Sequence, residues 1–272
     1  MSARVALLEN LARAVPVNPG RPVRVAIDGM TGVGKSTFRG ELATVLTAAG
    51  RQVLEASGDD FHHVRNRRYE QGKSSPVGYF EDAYDYQAMA RKLFKPLEPG
   101  GNGAVRLRHH DLESDKILVA EPVVAVAKET VVLVDGSFLL KPEIAAYWDV
   151  HILIEVARAT SVARQAARDG SPDDPAHPYY ERYFGGYELY LARCDPRARA
   201  NFVIDNTDLE RPFIVTCAGS ATGLGLQPDE RDLRSEHNGH DEDRRPCPDE
   251  DPLEEWPLHD RGDAEQEQGD RQ

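Results

Sequence analysis

The chain has no apolar run long enough to cross a bilayer, which takes about 18 residues, although 40% of its 272 residues are hydrophobic. A membrane partner is therefore not expected. Cysteine is scarce: Cys194, Cys217 and Cys247 are odd in number and far apart. That excludes a paired disulfide framework and a zinc ribbon, and it favours a reducing, cytoplasmic setting. The histidines form two adjacent pairs, His62–His63 and His109–His110, but no H-x-x-x-H spacing or Cys/His quartet accompanies them. A transition-metal site is not expected. Also missing are an internal repeat and the N-K-x-D stretch with which GTPases read guanine. The opening "MSARVALLENLARAV" has no secretory pattern, because Glu9, Asn10 and Arg13 interrupt its apolar residues.

The net charge of −13 is mostly local. Residues 220–272 hold 17 Asp/Glu against 6 Arg, which leaves only −2 for residues 1–219. The body shows no basic stripe, so nucleic acid is not an expected partner. The stretch 220–272 is expected to be a disordered acidic tail, since its composition is too polar to bury a core.

The remaining pattern is that of an α/β domain over residues 21–219, preceded by a docking helix within residues 1–20 whose apolar positions are Val5, Leu8, Leu11 and Val15. Residues 22–28 are a short β-rich run ending in a glycine-rich turn and 51–61 read as a second strand ending in acids, while the near-continuous apolar runs at 131–136, 150–156 and 201–206 read as strands covered on both faces. Helical spacing at 37–50, 82–95, 159–169 and 178–194 separates them, while 62–81 and 169–178 read as polar loops. Strand–helix alternation of this kind predicts a doubly wound parallel sheet with helices on both faces.

"GMTGVGKS" (29–36) fits G-x-x-x-x-G-K-[ST], follows a strand and opens a helix. This is the context of a phosphate-binding loop in a P-loop NTPase. Gly29, Gly32 and Gly34 permit backbone conformations closed to other residues and turn N–H groups inward. The expected ATP contacts are Gly29, Met30, Thr31, Gly32, Val33, Gly34, Lys35, Ser36 and Thr37. Lys35 supplies a cation for the β- and γ-phosphates and Ser36 a hydroxyl for Mg²⁺. "VVLVDG" (131–136) resembles a Walker B strand, which makes Asp135 a second metal-site candidate.

A P-loop does not by itself name the acceptor. "SGDDFHH" (57–63) ends the second strand, expected beside the P-loop strand. Asp59 or Asp60 there is a candidate base for a substrate hydroxyl, or else a cap for loop N–H groups. The aromatics Tyr79, Phe80, Tyr84 and Tyr86 fit either a nucleobase stack or the core.

Taken in order, the P-loop, "DDFH", "YFEDAYDYQ", "VDGSFLL", "ARQAARDG" and "YFGGYELYLARCDPRARANFVIDN" resemble the uridine kinase family, which is grouped with phosphoribulokinase and pantothenate kinase; the similarity spans about residues 22–210. The resemblance implies that Asp59 is the catalytic base and that His62, Glu81 and His110 (with His109 as alternative) contact the nucleoside. It also implies a small helical lid at about 158–185 whose Arg164 and Arg168, followed by Asp169, reach the phosphates. A cation on a closing segment would neutralise charge on the transferring group and exclude water. Departures fall on the acceptor side: Asp60 replaces a serine, His62 a tyrosine, and Val105 stands where a tyrosine is expected.

The sequence thus predicts an ATP- and Mg²⁺-dependent phosphotransferase acting on a primary hydroxyl of a small-molecule substrate. Uridine or cytidine leads; pantothenate, a sugar phosphate or nicotinamide riboside is the alternative. A non-catalytic nucleotide switch is the rival of a different kind. Self-association as a homo-oligomer is compatible with every reading.

Overall fold

A computed structural model describes residues 2–215; the expected tail at 220–272, with Cys247, lies outside the described residues, as does Cys217. Ser2 caps the first helix, α1 (Ala3–Ala14), by accepting from the Val5 N–H. Leu7, Leu8, Leu11 and Ala12 are its buried face, whereas Val5 is 40% exposed and does not share in the docking. Strand β1 (Val23–Gly29) is buried throughout and runs straight into the glycine-rich turn. Helix α2 (Lys35–Ala48) buries Phe38, Leu42, Ala43 and Leu46 and stops at Gly50, whose φ of +81° suits glycine. Arg4 on α1 pairs with Glu41 on α2, so the two helices are tied by charge as well as by packing. We predict that Leu11→Ala, at a site only 1% exposed, lowers stability by about 2–4 kcal/mol. Chemical denaturation reads this directly, and an unchanged midpoint would mean that α1 is not anchored to the core.

Strand β2 (Val53–Ser57) passes through a 3-10 turn, Gly58–Phe61, into a segment richer in helix than its polarity suggests. The expected loop at 62–81 contains α3 (Arg65–Arg68) and α4 (Pro76–Asp82). Ser75 caps α4 and Pro76 occupies its first turn, a start signal legible in "SSP". The helix expected over 82–95 is interrupted. α4 ends at Asp82, and Asp85 caps a new helix, α5 (Tyr86–Met89), continued by a π turn, Ala90–Phe94.

Four short strands follow, β3 (Ala104–Val105), β4 (His110–Asp111), β5 (Lys116–Ile117) and β6 (Val124–Ala125), paired antiparallel as β3 with β6 and β4 with β5. The chain then returns to the main sheet with β7 (Val131–Gly136), α6 (Pro142–Ala145), β8 (Val150–Glu155), α7 (Arg158–Asp169), α8 (Glu181–Cys194), α9 (Pro196–Arg199), β9 (Phe202–Asp205) and β10 (Phe213–Ile214).

The sheet order is β10-β9-β8-β1-β7-β2, parallel except for the β10 edge. This corrects one expectation: β7 lies between β1 and β2, so the acidic end of β2 is one strand further from the P-loop strand. Side-chain alternation divides the core. Val25, Ile27, Val131 and Leu133 face α1 and α2, while Ala26, Val132 and Val134 face the layer containing α4, α5 and α8. The same parity turns Asp135 toward α2 and Asp28 toward α8. From β1 the chain first covers one side (β2, β7) and then the other (β8, β9). Such a reversal opens a crevice at the carboxyl ends of the strands.

Candidate active site

The loop between β1 and α2 is held in a glycine-only shape. Gly29, Gly32 and Gly34 have φ of +151°, +73° and +94°. A Cβ on Gly29 would lie 2.4 Å from the Ile154 carbonyl oxygen, and one on Gly32 2.6 Å from that of Ser161. Both space and conformation therefore demand glycine. The loop is braced from outside. Ser161 on α7 donates to the Thr31 carbonyl (2.7 Å), the Thr31 hydroxyl donates to Gln165 (3.2 Å), and Asn206 beyond β9 donates to the Val33 carbonyl (2.8 Å). Met30 and Val33 are buried, so their side chains serve the core while their backbone serves the loop; the Thr37 side chain is exposed.

Lys35 folds over this cradle. Its Nζ donates to the carbonyls of Gly29 (2.9 Å) and Met30 (2.8 Å) and to the Ser137 hydroxyl (3.4 Å). Loss of hydration pushes the ammonium below its ordinary pKa, against the opposing pull of Asp59, Asp135 and Asp28. The next residue, Ser36, donates to Asp135 Oδ2 at 2.6 Å, and Arg39 pairs with the other carboxylate oxygen. The hydroxyl expected from the P-loop and the acid expected from the Walker B strand are thus in contact. The set fits a nucleotide and its metal: a loop that only glycine can shape, a cation, and a hydroxyl–carboxylate pair of hard oxygen donors.

Asp59, whose charge reaches Lys35, is exposed in the 3-10 turn and accepts from the Tyr84 hydroxyl at 3.2 Å. Asp60 is engaged elsewhere. Its carboxylate accepts from Arg108 (3.0 Å), its carbonyl accepts from His109 N (2.9 Å), and burial raises its pKa against the pull of Arg108. The two acids that sequence left as alternatives therefore have different surroundings, and of the two it is Asp59 whose charge is felt at the P-loop lysine. His62 lies behind Asp59, its Nδ1 2.7 Å from the Asp59 carbonyl and its ring 4.3 Å from that of Tyr84. Burial lowers its pKa. Tyr79, pushed up to about 12 by burial, completes this wall. Tyr79, Phe80, Tyr84 and Tyr86 are all buried, the core alternative of the two read from sequence.

The other expected residues are not gathered here. Glu81 turns outward to Arg193 on α8 (3.0 Å). His110 is fully buried, with Nε2 3.1 Å from Asp115 and Nδ1 without a partner. His109 contacts Asp85 (3.3 Å) and Lys92 (2.9 Å) instead. Arg164 donates to the carbonyls of Asn206 (2.8 Å) and Thr207 (3.0 Å), bracing the loop from behind. Arg168 is exposed and paired with Asp169 (2.7 Å), yet close enough to Lys35 for its charge to be felt there. The expected lid at 158–185 narrows as well. Ser161, Val162 and Gln165 pack α7 onto the body, the Tyr180 hydroxyl donates to the Pro172 carbonyl (2.6 Å), and residues 173–177 of the turn are exposed.

Sequence reasoning missed Asp28. It is fully buried at the end of β1, and its carboxylate accepts from the N–H groups of Gly29 (2.7 Å) and Leu139 (3.1 Å) and from the Tyr190 hydroxyl, with His151 Nε2 at 3.3 Å. One acid thus ties the P-loop start to the turn after Asp135, where Phe138 adopts φ +65°. The signal was an aspartate inside an apolar strand. Tyr190→Phe removes a donor to Asp28 and the acceptor for the Leu140 N–H (2.9 Å). We expect a loss of about 1–3 kcal/mol, read by thermal or urea unfolding; a variant as stable as the parent would show the network to be dispensable.

No protein-family model matches the chain, and no curated protein matches it in sequence. Solved structures do. A possible uridine kinase from Bacillus stearothermophilus superposes with a TM-score of 0.58 at 20% identity, over 74% of this chain and 96% of that one. A candidate fructose transport system kinase from Silicibacter sp. gives 0.57 at 25% identity, over 70% and 94%. The D-glycerate 3-kinase of Cryptococcus neoformans gives 0.50 at 13% identity, over 78% and 97%. The chain has the α/β fold of the uridine kinase-like P-loop kinases, which matches at the level of fold the resemblance read from its motifs.

Proposed function

We propose that the chain is an ATP-dependent kinase that phosphorylates a hydroxyl of a small metabolite. The observation that carries this reading is the exposed carboxylate of Asp59, near enough to Lys35 for its charge to act there, together with the Ser36–Asp135 hydrogen bond next to that lysine in the chain. A nucleotide switch needs the cradle and the metal acid; it has no need of an exposed carboxylate near the lysine.

Bound ATP and Mg²⁺ supply the transferable phosphoryl group and the neutralisation of its charge. Residues 29–37 would hold the phosphates through the loop backbone, and Lys35, now on the Gly29 and Met30 carbonyls, would supply the cation for them. Ser36 and Asp135 would hold the metal. Asp59 orients the acceptor hydroxyl and takes its proton, kept in place by Tyr84. Arg168, on the segment leading into the 170–177 turn, is the cation available to the transferring group.

A primary hydroxyl remains the expected acceptor group. Uridine and cytidine are the first candidates by resemblance, but of their three expected contacts only His62 adjoins Asp59; Glu81 and His110 are engaged elsewhere. Kinase chemistry is therefore better supported than nucleoside specificity. ADP release assayed against nucleosides, pantothenate and sugar phosphates tests the reading. Acceptor-dependent turnover is expected with at least one of them. Tight ATP binding with no acceptor dependence across the panel would favour the switch instead.

A further inference from the structure

Next to Tyr79 and His62, two arginines are buried with too little negative charge. Arg68 is 9% exposed and Arg182 5%. They are neighbours: Arg182 donates to the Arg68 carbonyl (3.0 Å) and to that of Ser75 (3.3 Å), and both guanidiniums lie over the Tyr69 ring, at 5.4 Å for Arg68 and 4.9 Å for Arg182. Arg182 has no carboxylate partner among the described residues. Arg68 has one, Asp115, at 3.2 Å. That carboxylate is shared with His110 and with the Arg65 N–H, and Arg68 Nε is left buried with no partner. Asp82, the nearby buried acid, is already taken by Arg67 (2.7 Å) and Gln71 (2.6 Å).

Buried guanidinium is costly unless an anion offsets the lost hydration. Burial accordingly pushes the Arg182 pKa below its ordinary value. The pair is also close to the chemistry. Arg182 lies 5.2 Å from the centroid of the Tyr79 ring, and that phenol feels the charge of Asp59; His62, bonded to the Asp59 carbonyl, feels the charge of Arg68. Tyr79 and His62 therefore adjoin both the proton acceptor and the unbalanced cationic pair. Arginine forks suit phosphate and carboxylate oxygens.

We propose that Arg68 and Arg182 form an anion subsite, so that the phosphoryl acceptor is a small hydroxylated molecule bearing a phosphate or carboxylate, its hydroxyl at Asp59 and its anionic end at the arginine pair. This rests on the kinase reading for the reaction at Asp59 but not for the binding of the anion.

The test uses the full chain with its P-loop filled by a nonhydrolysable ATP analogue and Mg²⁺, so that added inorganic phosphate reports on a second site. Wild type should show saturable binding by calorimetry and a rise in thermal midpoint. Arg68→Gln and Arg182→Gln should weaken it at least about tenfold. Asp115→Asn removes the competing carboxylate and keeps both guanidiniums, so it should bind phosphate as tightly as wild type or more so. Arg68→Lys, which retains the charge, covers the case in which Arg68→Gln fails to fold, and should bind between the two. Absence of phosphate binding, or equal loss in Arg68→Gln and Asp115→Asn, would overturn the subsite. In turnover, a phosphorylated or carboxylated polyol should be used, with KM raised about tenfold or more in Arg68→Gln and kcat nearly kept; which of the two is used identifies the anion. Uridine turned over with a KM indifferent to Arg68 would also overturn it. If no acceptor is phosphorylated while phosphate binding follows the expected order, the kinase reading falls and the subsite stands.

Discussion

Lys35→Ala should lower turnover by roughly 10³-fold and weaken ATP binding in the same variant. The ammonium sits at the centre of the loop, held by the Gly29 and Met30 carbonyls and within reach of the Ser137 hydroxyl. Its partial burial means that its charge acts through a medium of low dielectric, where one aligned donor is worth about 3–4 kcal/mol to a transition state. A loss of that size corresponds to roughly two to three powers of ten. Part of the interaction exists already with bound ATP, because the phosphates carry charge before transfer. Hence both terms should move: a nucleotide Kd raised about tenfold or more, and kcat lowered further. Lys35→Arg is a useful companion. It keeps the charge, but its planar fork does not fit between two loop carbonyls, so it should recover ATP affinity better than turnover. Calorimetry with an ATP analogue and steady-state ADP release measure the two terms separately. If kcat fell while ATP affinity stayed at the parent value, Lys35 would not be a phosphate ligand of the ground state.

The parts of this site legible in the sequence are those whose chemistry is local. Gly29 to Ser36 lie within eight residues, and the loop needs glycine for backbone reasons that no distant contact can replace. Asp135 was legible because an acid closing an apolar strand has few other uses beside a P-loop. The α/β layering followed from strands apolar on both faces, such as β7, which is buried at every position. What failed was set by distant pairing. Ser75 and Pro76 open α4 inside a stretch that reads as polar loop, and α4 is stabilised by packing on α8, where Gly185 and Gly186 allow close approach: a Cβ on either would come within 2.7 Å of Pro76 or Tyr79. Strand order was invisible for the same reason, since β7 enters between β1 and β2 more than 70 residues after β2 ends. Glu81 matched a family position in sequence, yet its helix turns it to Arg193. Arg68 and Arg182 are 114 residues apart, and neither alone suggested a site.

Asp59→Asn should cost turnover about 10²- to 10⁴-fold, the range for removing a positioned general base, and leave ATP affinity within about twofold, a change below 0.5 kcal/mol. The substitution preserves shape. The asparagine carbonyl can still accept from Tyr84, and the 3-10 turn keeps its Ser57 cap, so folding should be unaffected. What is lost is the capacity to take a proton and one negative charge felt at Lys35. The charge has a countervailing effect, since its removal lessens repulsion of the incoming phosphates; this is why ATP affinity should hold or improve while kcat collapses. Asp60→Asn is the control. That carboxylate is tied to Arg108, and its carbonyl, which bonds His109, is untouched by the change. It should lose less than about tenfold, because Asp60 is half-buried in its own ion pair with Arg108 and an ion pair so open to solvent contributes little. Single-turnover kinetics at saturating ATP and acceptor isolate the chemical step from binding. Two outcomes would reassign the base: a larger loss in Asp60→Asn than in Asp59→Asn, or an ATP affinity reduced as far by Asp59→Asn as by Lys35→Ala. In the second case Asp59 would act through the lysine its charge reaches, by holding the ammonium over the cradle, and the proton would have to leave the hydroxyl by another route.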